Sequence, residues 1–378
     1  MPELRPLSTL HVSTAKTWRG GENQLYLLAK GLAARGQRVL IVAPPDAPLH
    51  ARAAEAGVAT RAMKLGGGLN PAGLWRLTKL LREVRPEILH LHDSHALTPG
   101  QLAGRMLPRE ACAVLAHRRT AFKIRGRWKY AGRVDRVVAI SAAVRAELLA
   151  AGIADPSVNV IYSGLELPEP LAREAPEAVA LRAELGVPEG AFLVAHAAAL
   201  TSEKRQADLI AAVALAEERV KAAGGAASSE IHLALAGSGE LEGALAALIS
   251  ERNLRKRVHL LGFRRDLRGL WAAADAAAFV SEAEGLCTAL IEAQGAGLPA
   301  VITRAGGMVE VVENERTGLT AEVGDVSGIA GALARLAGDA ALRVRMGRAA
   351  SERARRLFSS DAMVDGTLAL YRELRGVR

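Results

Sequence analysis

Two glutamates, Glu284 and Glu292, stand at either end of a loop that runs into a helix in Ser281-Glu-Ala-Glu-Gly-Leu-Cys-Thr-Ala-Leu-Ile-Glu-Ala-Gln-Gly-Ala-Gly-Leu-Pro-Ala300. Gly285 follows the first carboxylate and lets the backbone approach a ligand closely. Leu286, Cys287, Thr288 and Ala289 then open a helix whose free N–H groups favour an anion. Glu292 falls on the second turn, within reach of another polar group of the same ligand. Acceptors for hydroxyls beside a helix start suit a molecule that is part polyol and part phosphate. Two solvated acids on a surface helix are the ordinary alternative.

Other residues weight the choice towards a ligand. Gly20 and Gly21 follow the first strand and open a helix, where backbone can come close to a pyrophosphate or a hydroxyl; a plain tight turn is the competing reading. Glu22 and Asn23 come next. Lys204, in Thr201-Ser-Glu-Lys-Arg-Gln206, follows the first strand of the second half. As an exposed loop lysine it would neutralise growing phosphate charge while adding little to stability. His117 ends a strand, and His90-Leu-His-Asp-Ser-His95 closes another. The latter suggests a metal, but neighbouring strand positions point to opposite faces, so His92 and Asp93 should not converge. A structural or acceptor-side role for His92, Asp93 and His95 is the better expectation.

These side chains need two parallel sheets to position them. Strand-length apolar runs alternate with helical stretches, the pattern of parallel strands covered by helices. In the first half, 7–13, 38–43, 88–92, 113–116, 137–140 and 158–161 read as strands; 21–35, 71–84, 98–106 and 142–151 read as helices. The second half restarts with strands at 192–197, 231–236, 258–261, 276–280, 300–302 and 318–321, then a helical pair over 326–357 and a last helix. Proline and charge replace periodicity over Glu166–Glu177, which marks the linker. The expected domains are 1–168, 169–357 and a returning segment 358–378. In such sheets ligands bind outside the carboxyl ends of the strands.

Composition narrows the class. With 378 residues, half of them apolar, the chain can bury two cores. Cys112 and Cys287 show no metal spacing and suit a reduced, cytoplasmic compartment. No run reaches the roughly 18 apolar residues of a membrane span. The net charge is +9, with 24 Lys and Arg against 12 acids in residues 1–168, and 25 against 28 beyond. The basic excess peaks in residues 117–136, where eight cations interleave with Phe122, Ile124, Trp128 and Tyr130. That segment suits an anionic membrane interface, against the alternative of a solvated helix with a core-facing aromatic stripe. Nucleic acid ranks last, because the second half is acidic and carries no binding motif.

The Glu284–Glu292 segment resembles the E-x7-E signature of family 4 retaining nucleotide-sugar glycosyltransferases, which have the GT-B fold. The resemblance runs from Trp18-Arg-Gly-Gly-Glu-Asn-Gln24 through Val160–Glu166, Ala199–Lys204, Leu235–Glu240, Val258–Phe263 and Ala305-Gly-Gly-Met-Val-Glu310 to Thr317-Gly-Leu319. It implies an α/β protein of two Rossmann-like domains facing across a cleft, with a last helix crossing back to the first. It implies that His117 touches the donor sugar, Lys204 meets the pyrophosphate, Glu284 the sugar hydroxyls and Glu292 the ribose. Gly285, Leu286, Cys287 and Thr288 would meet sugar and phosphate; Phe263 and Arg264 would frame the base, with Gly237 and Gly239 flanking the nucleoside. One departure stands out, because the family's usual arginine five residues before the lysine is Ala199. Arg205, or Arg118 or Arg119 of the first domain, would have to supply that cation. The expected activity is a retaining, metal-independent hexosyl transfer with no cofactor. The donor is a nucleoside-diphosphate sugar, UDP- slightly favoured. The acceptor is a glycan or lipid-linked molecule of envelope polysaccharide or lipopolysaccharide assembly. The enzyme would be cytoplasmic, peripheral at the inner face of the plasma membrane. A sugar-nucleotide 2-epimerase of the same fold and a non-catalytic sugar-nucleotide binder are the alternatives.

Overall fold

A computed structural model describes residues 5–66, 70–120, 124, 126–130, 132–224 and 230–377. The chain divides into two compact units, 1–166 with 357–378, and 167–356.

The first unit is built on a parallel sheet of β1 (Ser8–Val12), β2 (Arg38–Ala43), β3 (Ala59–Ala62), β4 (Ile88–Leu91), β5 (Ala113–Arg118), β6 (Arg136–Ala139) and β7 (Val158–Val160). Their order is β3-β2-β1-β4-β5-β6-β7, reversing direction of growth between β1 and β4. Central strands are buried on both faces, which is why they read as continuous apolar runs. The register sets His11 of β1 opposite His90 of β4. The terminal helix Ser360–Arg375 belongs to this unit: Met363, Val364, Leu368, Leu370 and Tyr371 join Leu28, Leu32, Leu115 and Val138 in one core. Ser359 caps it, accepting from Ala362 N–H, and forms a bridge with Leu165.

The second unit carries β8 (Phe192–Ala197), β9 (Ile231–Ala236), β10 (Val258–Gly262), β11 (Ala276–Phe279), β12 (Ala300–Thr303) and β13 (Gly318–Ala321), all parallel. Their order, β10-β9-β8-β11-β12-β13, again has its switch point beside the first strand, between β8 and β11. In the first unit the sequence reading passed over the edge strand β3 and the helix Leu49–Glu55.

Candidate active site

In the second unit the loops after β8 and β11 meet. A short turn, Ser202–Lys204, ends at Arg205, whose φ of 50° lets the next helix start sharply. That turn sends Lys204 to Glu284: Nζ lies 2.6 Å from Oε1. Ser281 Oγ donates to the same oxygen at 3.1 Å. Lys204 is not the exposed lysine expected from sequence, since its side chain is 16% exposed and that of Glu284 13%. The Glu284 loop rests on a floor of two glycines. Gly307 N–H donates to Glu284 O at 3.0 Å. A Cβ on Gly306, at φ 50°, would fall 1.9 Å from Glu284 O, and one on Gly307 2.2 Å from Gly285 O. Thr303 Oγ1 donates to Ser281 O at 2.7 Å and ties β12 to the same loop.

The following helix, Thr288–Gly295, has Cys287 at its N-cap; the Cys287 thiol meets the Leu290 amide, and the Thr288 and Ala289 amides stay open to an anion. Leu286 and Cys287 are buried and offer only backbone. Burial pushes the Cys287 thiol up to about 12, which leaves it a poor nucleophile. Glu292 sits on the second turn. Burial raises its pKa, the Trp271 indole N–H pulls it partly down, and the charge of Asp266 pushes it up again. Trp271 Nε1 stops short of full hydrogen-bond geometry with any partner.

The remaining predicted residues of this unit have mixed fates. A Cβ on Gly237, φ 147°, would meet Ala198 O at 1.8 Å, and one on Gly239 Leu200 O at 2.4 Å; both glycines are required by packing of the β9 loop on the β8 loop. Phe263 is 75% exposed after β10. Arg264 is held by Glu184 at 3.0 Å. Arg205 Nε bonds Asp208 at 2.7 Å and Nη1 lies 3.9 Å from Glu282. Its charge is thus already engaged.

In the first unit, Gly20 and Gly21 begin the helix Gly20–Ala34, and Glu22 Oε2 accepts from Arg19 N–H at 2.9 Å. A Cβ on Gly20 would meet nothing within 4 Å, and one on Gly21 only Arg119 Cδ at 3.9 Å. Protein packing does not demand glycine there. Asn23 is half-buried on the first turn. Asp93 is a helix cap: Oδ1 accepts from His95 N, Ala96 N and Thr14 Oγ1, and Oδ2 from Thr14 N. With four bonds made, that carboxylate has little left for an acceptor. Arg118 Nε donates to Thr120 O at 2.9 Å. Of the basic segment 117–136, residues 121–123, 125 and 131 lie outside the described residues, Phe122 among them.

The alternation that separates His92 from Asp93 also puts His90 and His92 on one face, where His11 and His117 join them. Ring centroids are 4.2 Å apart for His90–His92, 5.3 Å for His90–His117 and 5.2 Å for His11–His92. All four rings are buried, and burial holds each pKa below its usual value, His11 at about 3. The sequence gives no sign of His11, because strand adjacency is not written in it. Donor direction can be deduced from Arg119, which cannot accept. Its Nη1 donates to His92 O at 2.7 Å and its Nη2 to His92 Nδ1 at 3.1 Å. The His92 proton is therefore on Nε2, donated to His11 Nδ1 at 3.0 Å; the His11 proton is on Nε2, donated to Thr9 Oγ1 at 3.1 Å; and Thr9 donates to Arg38 O. Nitrogens of His11, His90 and His92 come within 4.8 Å of one another, a spacing a metal would accept. The Arg119 chain engages His92 Nδ1 and His11 Nδ1 in hydrogen bonds. Strand alternation keeps Asp93 out of this cluster, as expected, but brings His90 and His92 together within it.

Residues 18–168 match the family described as Glycosyltransferase Family 4, and residues 179–353 match Glycosyl transferases group 1. The chain belongs to glycosyltransferase family 4. This family 4 chain is 29% identical over 297 residues to the lipopolysaccharide core biosynthesis glycosyltransferase LpsD of Rhizobium meliloti, covering 79% of this chain and 78% of that one. The structure of Anabaena HepE in complex with UDP aligns with a TM-score of 0.80 at 20% identity, over 97% of this chain and all of that one. A glycosyltransferase from Rickettsia africae aligns at 0.81 and 20% identity, over 98% and 99%. The two Rossmann-like domains are those of the GT-B glycosyltransferases, and the chain is a glycosyltransferase. Among the described residues no helix is long and apolar enough to cross a membrane.

Proposed function

We propose that this family 4 enzyme transfers a hexosyl group, with retention and without a divalent metal, from a UDP-sugar to a glycan or lipid-linked acceptor of cell-envelope assembly. The observation that carries the reading is the Lys204–Glu284 pair at 2.6 Å beside the helix start at Thr288. A carboxylate for sugar hydroxyls, an ammonium for the departing diphosphate and open amides for its oxygens lie together. Glu292, one turn on, accepts from the ribose hydroxyls. Hydrogen bonds from hydroxyls to such carboxylates contribute about 1.5–3 kcal/mol each. The UDP preference draws support from the HepE complexes with UDP and UDP-glucose, and the envelope pathway from the name of LpsD.

Cys287, its thiol kept protonated by burial, and Glu284, whose Oε1 is held by Lys204 and Ser281, are poor nucleophiles for a covalent intermediate. Same-face attack follows: the departing phosphate takes the acceptor's proton while Lys204 and the helix amides stabilise its charge. The Arg119-directed chain of histidines supports metal independence. The exposed pair Arg127–Trp128, with Trp128 55% exposed, supports contact between the basic first unit and an anionic membrane. Binding to anionic vesicles should then weaken as salt rises.

The deciding experiment incubates the enzyme with UDP-, GDP-, ADP- and dTDP-sugars and follows thermal stabilisation and donor turnover. Stabilisation by a UDP-sugar, lost in Glu284→Ala and Glu292→Ala, is expected. Unchanged donor turnover in Glu284→Ala would remove that carboxylate from the mechanism. Epimerised donor in an acceptor-free incubation, read by NMR, would replace transfer with epimerisation.

A further inference from the structure

One branch of the histidine cluster is not explained by Arg119. Tyr371, on the terminal helix, lies with its hydroxyl 2.6 Å from His90 Nδ1, across 281 residues of sequence. The ring is fully buried, and burial raises the phenol well above its usual range, so the hydroxyl keeps its proton. Among the described residues the buried hydroxyl proton finds no acceptor other than His90 Nδ1, so Tyr371 donates and His90 accepts. That places the His90 proton on Nε2.

Among the described residues His90 Nε2 is buried and has no hydrogen-bond partner, and His117 Nδ1 is likewise buried and without one. The two rings are stacked, with centroids 5.3 Å apart and planes 12° from parallel. One unpaired donor and one unpaired buried nitrogen therefore lie on neighbouring rings, and a single bridging water satisfies both. If His117 Nδ1 accepts, its proton sits on Nε2, the nitrogen not shut inside the cluster. The cluster then contains two directed chains. One runs inward from Arg119 through His92 and His11 to Thr9. The other runs outward from Tyr371 through His90 to His117.

We infer that Tyr371 is a positioning residue for transfer: through His90 it fixes His117 as a neutral N–H donor aimed at an oxygen of the donor sugar. This rests on the proposed transfer and on the contact between His117 and the donor sugar that the family resemblance implies. It makes the terminal helix a working part of the site as well as part of the core.

The test needs no ligand at first. In the wild type, imidazole 15N–1H correlation spectra should show His11, His90, His92 and His117 as Nε2–H tautomers. A wild-type His90 or His117 with its proton on Nδ1 overturns the inference, whether or not any variant folds. Tyr371→Phe keeps the ring and loses the hydroxyl. It is expected to change the tautomer populations of both His90 and His117, while His11 and His92 stay as they were. With whichever of UDP-glucose, UDP-galactose and UDP-N-acetylglucosamine the wild type consumes fastest, kcat should fall about tenfold, and donor KM change less than twofold. A response confined to His90, or an unchanged kcat with a shifted His117, overturns it. His117→Ala separates the layers: full activity there means the sugar contact itself is wrong, whereas inactive His117→Ala with fully active Tyr371→Phe leaves that contact standing and removes only Tyr371.

Discussion

Lys204 and Glu284 sit 80 residues apart in sequence and 2.6 Å apart in space, with Ser281 on the same oxygen. Neither acts alone, so their contributions to turnover should not add. Lys204→Ala and Glu284→Gln are each expected to lower kcat/KM about 100-fold, and the double variant little further, in a double-mutant cycle. Strict additivity would mean that they serve separate groups of the substrate. Because both side chains are largely buried, removing Lys204 should also cost stability, about 1–3 kcal/mol by denaturant unfolding. At this scale the sequence was legible where a residue type carries its own chemistry, as for Glu284, Lys204 and Glu292. It was silent on Ser281, Thr303 and His11, whose importance comes from which strand lies next to which.

At the scale of loops and strands, the glycines sort themselves by what surrounds them. Gly306 holds up the Glu284 loop, and its positive φ and the carbonyl 1.9 Å from a virtual Cβ leave no room for a side chain. Gly306→Ala should lower the melting temperature by several degrees, since strain of this kind costs about 1–3 kcal/mol, and should abolish turnover. Gly20→Ala, with open space at Cβ, should leave the melting temperature unchanged and still impair turnover. Calorimetry and a turnover assay on both variants check this; an equal loss of stability would show that Gly20 is needed by the fold. The central strands were readable because both faces are apolar, and the fully buried β8 and β9 fall where expected. The edge strand β3, Ala59-Thr-Arg-Ala62, was not, because it is mostly exposed and its residues carry no buried pattern.

For the whole molecule, the four-histidine cluster links stability to acidity. Each ring is held below 6.5 when folded, so the unfolded chain takes up protons that the folded chain refuses. Stability is therefore fully present above pH 6.5 and is lost as pH falls below it. The cluster's share of the limiting slope is about four protons, or about 5 kcal/mol per pH unit, and His196, His232 and His259, also held low by burial, add to it. Melting temperature against pH should be flat from 7 to 8 and fall steeply below 6, and less steeply once His11 and His90 are replaced with glutamine. A second consequence follows from the first unit being made of residues 1–166 and 357–378. On a ribosome adding about 5–20 residues per second, the early sheet must wait on the order of ten to forty seconds for the helix that seals it. Meanwhile the second lobe can already fold, and nascent β4, β5 and β6 expose the apolar groove later filled by Met363, Leu368 and Tyr371. Vectorial synthesis thus leaves the amino-terminal half with an unsealed core until the carboxyl-terminal segment emerges.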